Sequence, residues 1–134
     1  MKYVYPVIFS VDGTATAAHV PDLPSIFTFG ENIADAISNA QDAIEMWLWD
    51  AENKNEAIPS ASSLEDVRKG CNEGEFANLV VADTSEYRKA NDVRAIKKTL
   101  TVPSWLNYEA EKANAPFSQL LQQSLKEYLN LQDR

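Results

Sequence analysis

The 134-residue sequence holds one cysteine, Cys71, and one histidine, His19. A lone thiol excludes an internal disulfide framework, and one Cys with one His argues against a metal site built from those ligands. No apolar run approaches the roughly 20 residues of a membrane span. The opening MKYVYPVIF lacks the pattern of a signal peptide. These absences point to a reducing, cytoplasmic setting with no membrane and no cofactor. Cys71, between Gly70 and Gly74 and far in sequence from His19, reads as an incidental thiol. His19, beside Val20, reads as a structural imidazole.

Basic residues are also scarce: 12 Lys/Arg stand against 20 Asp/Glu, a net charge of -8. The imbalance is uneven along the chain. Residues 1–92 carry 16 acidic and 6 basic side chains, net -10; residues 93–134 carry 4 and 6, net +2. An acidic body repels phosphates over about one Debye length, so a protein that only bound nucleic acid would gain nothing from it. It suggests a second, basic partner; solubility alone is the other explanation. A hydrophobic share of 45% with 24% charged residues allows one modest domain plus a small appendage.

Residues 3–11 read as an apolar-rich strand, Asp12-Gly13 as a turn, residues 15–20 as a second strand and 26–29 as a short third. Pro6 gives the first strand an edge-like N-terminal end. Residues 31–54 have helical periodicity, with Ile33, Ile37, Ala40, Ile44, Trp47, Leu48 and Ala51 on one stripe suited to lying across a sheet. Met46 and Trp49 point away from it. They are either an interface or a second buried side, covered by residues 57–75 or by another copy. Ser62 with Glu65 resembles a capping box for a brief helix ending near Gly70. Residues 76–83 form a fourth strand, and the polar run from 84 onward reads as a linker.

In the remainder, Ile96, Lys98, Leu100 and Val102 alternate with Lys97, Thr99 and Thr101, a period-two strand stopped by Pro103. Ser104 is placed to cap a helix with Leu106, Ala110 and Ala113 on one face, broken at Asn114-Ala115-Pro116. A second helix from Pro116 carries Phe117, Leu120, Leu121, Leu125, Tyr128 and Leu129 at helical spacing. So short a unit cannot bury that stripe, and it holds no second strand to pair with its own. Two chains must associate. An antiparallel two-stranded ribbon backed by four helices does this without an open edge, and such a ribbon fits the major groove of DNA.

The run Lys97-Lys98-Thr99-Leu100-Thr101-Val102-Pro103, with Leu106 and Phe117-Ser118-Gln119-Leu120-Leu121, resembles the ribbon-helix-helix domain appended to HicB-type antitoxins. The segment Asp22-Leu23-Pro24-Ser25-Ile26-Phe27-Thr28-Phe29-Gly30, followed by Ala36 and Ala40, is similar to the family's N-terminal DLPG-x-x-T-x-G pattern, with Ser25 in place of its Gly. The resemblance implies an α+β fold: an N-terminal small sheet under a long helix, like a truncated RNase H, at 1–83; a linker at 84–93; and a dimerising ribbon-helix-helix at 94–134. It implies base contacts from Lys97, Thr99 and Thr101 and phosphate contacts at Phe117 and Ser118, with a dimer core of Leu100, Val102, Leu106, Leu121 and Leu125. It implies partners: a small basic HicA-type toxin that cleaves RNA, operator double-stranded DNA, and a second copy in a homodimer or dimer of dimers. Asp22, Ser25, Met46 and Trp49 are the toxin-binding candidates, although Asp-Leu-Pro-Ser is also good turn chemistry.

Two other classes of function fit parts of the pattern. A ribbon-helix-helix repressor with a ligand-sensing body needs the same tail; one His and one Cys weigh against nickel-type sensing. A metal-dependent nuclease needs converging carboxylates, for which Asp12, Asp22 and Glu31 are the candidates. Asp12 and Asp22 fall in a turn and a loop, and no acidic pair is embedded in an apolar strand. Non-enzymatic binding is the stronger expectation.

Overall fold

The computed structural model describes all residues, Met1–Arg134, as two compact units, Met1–Asp92 and Val93–Arg134. In the first, β1 (Lys2–Asp12), β2 (Ala15–His19), β3 (Phe27–Gly30) and β4 (Glu75–Asp83) form one sheet in the order β3-β2-β1-β4. Every pairing is antiparallel. Gly13, at φ +64°, takes the left-handed position of the tight turn between β1 and β2. β2 meets β1 only from Ile8 onward, so residues 2–7 of β1 pair with β4 alone. Pro6 falls in that one-sided stretch, where a missing N–H is tolerated.

Helix α1 (Ile33–Lys54) crosses one face of the sheet. Asn32 caps it by accepting from the Asp35 N–H at 2.9 Å, and Asn55 closes it in the left-handed conformation. Ala36, Ala40, Ile44, Leu48 and Ala51 are its buried residues; Tyr5, Val7, Phe9, Ala18, Val80 and Ala82 form the sheet side of the core. Ile33 and Ile37, expected on this stripe, are instead exposed. At this end of the helix the backbones come close: a Cβ on Gly30 would lie 2.2 Å from the Ala36 nitrogen, and the buried helix residues there are Ala36 and Ala40.

The two edge strands are blunted from α1. Gln41 Nε2 donates to the Val81 carbonyl at 2.8 Å and the Asp83 N–H donates to Glu45 at 3.1 Å, while Asn39 Nδ2 donates to the Phe29 carbonyl at 2.7 Å. Such side-chain caps occupy groups that would otherwise template a further strand.

From α1 the chain returns along a strap, residues 56–63. Tyr5 Oη donates to the Pro59 carbonyl at 2.6 Å, and the Ser62 N–H and Oγ both donate to the Asp22 carboxylate, at 2.9 and 2.6 Å. Helix α2 (Leu64–Lys69) is therefore capped by Ser63, not Ser62, whose hydroxyl Asp22 has taken. Val67 of α2 covers Ile8 and Ala77 on the second sheet face.

The run expected as a linker is instead helix α3 (Thr84–Asn91), and the division between units falls at Asp92. Asp83 caps α3, accepting from the Ser85 N–H at 2.9 Å. Buried Thr84 donates to Glu52 at 2.7 Å, Arg88 donates to Asn53 at 2.9 Å, and the Tyr87 ring lies 5.5 Å from that of Trp49. The segment looks like a linker because it is polar, but its polar groups bond to the last turns of α1.

The second unit holds α4 (Ser104–Lys112) and α5 (Phe117–Leu129), separated by Asn114 at φ 52°. Ser104 is the first helical residue and makes no cap; Pro103 occupies that position. Residues 92–103 have no strand structure. A strand exists through its ladder bonds, and the chain's one sheet is complete without residues 96–102. No residue of Val93–Arg134 is buried.

Candidate partner-binding and DNA-binding surfaces

A groove of about 620 Å³ runs between the loop leading into β3 and the second half of α1. Ser25, Ile26, Phe27, Met46, Trp47, Trp49 and Asp50 line it, and no Lys or Arg does. The structure thus brings together three of the four predicted toxin-binding residues, Ser25, Met46 and Trp49. The fourth, Asp22, is elsewhere: its carboxylate is committed to Ser62.

Met46 is 55% exposed. Trp49 is neither a free outward ring nor core. One side packs on Tyr87 and another borders the groove, so its cover is α3 rather than residues 57–75. Asp42, Met46 and Asp50 follow at four-residue spacing, which places two carboxylates beside an exposed thioether. Asp50 pairs with Lys54 at 3.0 Å, and this hydrogen bond, with the charges of Asp50 and Glu56, holds the Lys54 ammonium above its usual range.

Six lining residues, Ile26, Phe27, Thr28, Ala43, Trp47 and Asp50, are not among the predicted ones. Trp47, expected in the core stripe, does pack against the core, yet it also borders the groove. Phe27, in the sequence only a residue of the short third strand, also lines the groove. Strand alternation held the signal: with Ile26 buried, Phe27 and Phe29 must face out, and they do, at 60% and 61% exposure with their rings 5.1 Å apart edge to face.

In the second unit a cleft of about 470 Å³ is lined by Lys98, Leu100, Val102, Asn107, Phe117, Ser118 and Leu121. Residues 98, 100 and 102 thus share a side that meets α5, while Lys97, Thr99 and Thr101 are exposed and do not line it. Leu100, Val102, Leu106, Leu121 and Leu125, the expected dimer core, are 36% to 55% exposed in the single chain. The start of α5, at Phe117 and Ser118, has no side-chain cap, so first-turn N–H groups stay available.

The carboxylates considered for a nuclease are not gathered. Asp12 ends β1, Asp22 is bonded to Ser62, and Glu31 precedes α1. No group of three or more His, Cys, Asp or Glu side chains is arranged to hold a metal ion. No helix is long and apolar enough to cross a membrane.

The body thus joins an acidic charge to an apolar groove, and the apolar residues of the tail helices are exposed. The chain belongs to the HicB-like antitoxin family of bacterial toxin-antitoxin systems, whose family model matches residues 5–128. It is similar to a toxin-antitoxin complex from Streptococcus pneumoniae, with 26% identity over 96% of this chain and 99% of that one and a TM-score of 0.58. Burkholderia pseudomallei antitoxin HicB shares the fold at 24% identity, with 97% of both chains covered and a TM-score of 0.52. A relative from Haemophilus phage HP1, an uncharacterized 14.9 kDa protein of the rep-hol intergenic region, is 23% identical across 81% of this chain and 80% of its own length.

Proposed function

We propose that this antitoxin neutralises a small basic HicA-type toxin through its body and represses its own operon by binding operator DNA through a dimeric ribbon-helix-helix tail. The observation that carries the reading is the division of the chain at Asp92 into an acidic unit with an apolar groove and a basic unit without a buried residue. Each unit is incomplete, and in a different way. The body has a core of its own and an acidic surface, which speeds encounter with a cationic protein and inhibits it by occupancy alone. The tail lacks a core, and a second copy would supply both the missing strand and the cover for α5.

The shared side of residues 98, 100 and 102 supports an outward face of Lys97, Thr99 and Thr101 on the ribbon, whose side chains suit base edges. The uncapped start of α5 suits a phosphate. Toxin occupancy and DNA affinity are then linked, each changing the other by the same factor.

Co-expression with the adjacent open reading frame tests the first half. A small basic protein should co-purify and its toxicity should vanish; no complex and no rescue refutes it. For the second half, Lys97→Ala or Thr99→Ala should cost about 1 to 3 kcal/mol of operator binding in a gel-shift titration at fixed salt, with toxin binding intact. Parent-like binding by both variants would show that the wrong strand face has been assigned.

A further inference from the structure

The groove has a chemistry narrower than apolarity. Its walls are Ile26, Phe27, Met46, Trp47 and Trp49, its single charged group is Asp50, and Asp42 stands two helical turns before Asp50 on the same side of α1. We infer that this groove receives a cationic side chain, an arginine or lysine, carried on a segment of a basic protein; the inference rests on the body being the toxin-binding unit.

Three candidate occupants differ in what they leave unmatched. A wholly apolar side chain would desolvate the Asp50 carboxylate and leave it only its exposed pair with Lys54, which is unfavourable. A polar metabolite would find few directing groups, since Ser25 and Thr28 are the only neutral polar residues in the lining. An arginine or lysine matches both features, its methylenes packing on Met46 and the indoles while its head meets the carboxylate. Arginine fits best, because its planar guanidinium also stacks on Trp.

The chain already rehearses this contact. Lys54 Nζ sits 3.0 Å from Asp50 Oδ2, with both side chains more than half exposed. Exposed pairs of this kind are worth about 0 to 1 kcal/mol, so an incoming cation displaces Lys54 at little cost. The Trp49 wall is set in advance by Tyr87, which lowers the entropy lost on binding. A volume of about 620 Å³ exceeds one side chain, so the anchor arrives with its neighbours, as part of a folded surface or peptide segment. The net charge of -10 on residues 1–92 selects the sign of that surface.

The test uses the intact chain and the basic protein that co-purifies with it. Asp50→Asn should weaken the complex about ten- to hundredfold by titration calorimetry, and one Arg or Lys of the partner, changed to Gln, should do the same. Combined, the two changes should cost little more than either alone. Lys54→Ala should leave affinity unchanged or improve it, whereas a merely structural role for the Asp50–Lys54 pair would make it as damaging as Asp50→Asn. A loss under about threefold for Asp50→Asn in a folded variant, or no partner cation coupled to it, overturns the inference while the antitoxin reading stands. Altered self-association of the chain alone, with no coupled partner cation, makes the occupant a second copy and also overturns it. If the parent chain forms no complex at all, both readings fall.

Discussion

At Gly30 the chain passes so close to α1 that a methyl group has no room: its Cβ would lie 2.2 Å from the Ala36 nitrogen and 2.7 Å from Asp35 Cβ. Both obstacles belong to the first turn of the helix, so neither can swing aside. Gly30→Ala should therefore destabilise the fold by about 1 to 3 kcal/mol, seen as a lower urea midpoint at unchanged slope. Gly70→Ala is the contrast. Its Cβ would meet only the Val67 carbonyl, at an ordinary 3.6 Å, and its φ is -88°, so the change should stay within about 0.5 kcal/mol of the parent. Equal effects from the two would mean that close helix approach is not what Gly30 serves. The same residue scale marks a limit of sequence reading. The motif ending in Gly30 was visible, but that Asp22 within it would bond to Ser62, 40 residues on, was not. Long-range polar pairing leaves no local pattern.

Among elements, those with a period were legible and those held by their polar side were not. The four strands and α1 appeared within a few residues of their observed ends, because strand alternation and helical repeat follow directly from burying one face. Trp47 and Trp49 were assigned to opposite sides of α1, whereas the groove reaches both indoles. α3 was missed because Thr84, Tyr87 and Arg88 hold it through bonds and ring contact to α1 rather than through an apolar stripe. The segment around residues 96–102 shows the opposite failure: its sequence alternates like a strand, yet no strand forms there, because period alone supplies no ladder partner.

The dependence of α3 on polar contacts gives it a pH response. The Ser85 N–H bonded to the Asp83 carboxylate holds that group below the ordinary aspartate value of 3.8. A carboxyl with a lowered folded pKa stabilises fully above its unfolded value, and that contribution is lost as pH falls through the folded one. The α3 cap should therefore weaken below pH 3.8, read from the Tyr87 and Trp49 ring resonances by NMR. Asp83→Asn keeps a capping oxygen without a titrating charge, so its ring resonances should lose that acid-side transition. A variant that titrated like the parent would place the transition on another group.

For the whole molecule the charge division has a consequence that neither unit shows alone. On the proposed reading, a tail with net +2 approaches DNA while tethered to a body with net -10, and a dimer would bring two such bodies. The body's repulsion opposes binding without touching the DNA, over a range of about 10 Å at 0.1 M salt. Neutralising four exposed side chains of the body, Asp35→Asn, Asp42→Asn, Glu65→Gln and Glu73→Gln, leaves the tail unaltered. Affinity for a fragment of the protein's own promoter should rise about two- to fivefold near 0.05 M salt, and the gain should shrink toward unity near 0.3 M. Electrostatic repulsion alone predicts this convergence, because a change in base contacts would persist at both salts. A basic partner on the body would act in the same direction as the four substitutions, cancelling negative charge near the DNA. Its effect on operator affinity should therefore also fade with salt, whereas a change in tail spacing or oligomeric state would not.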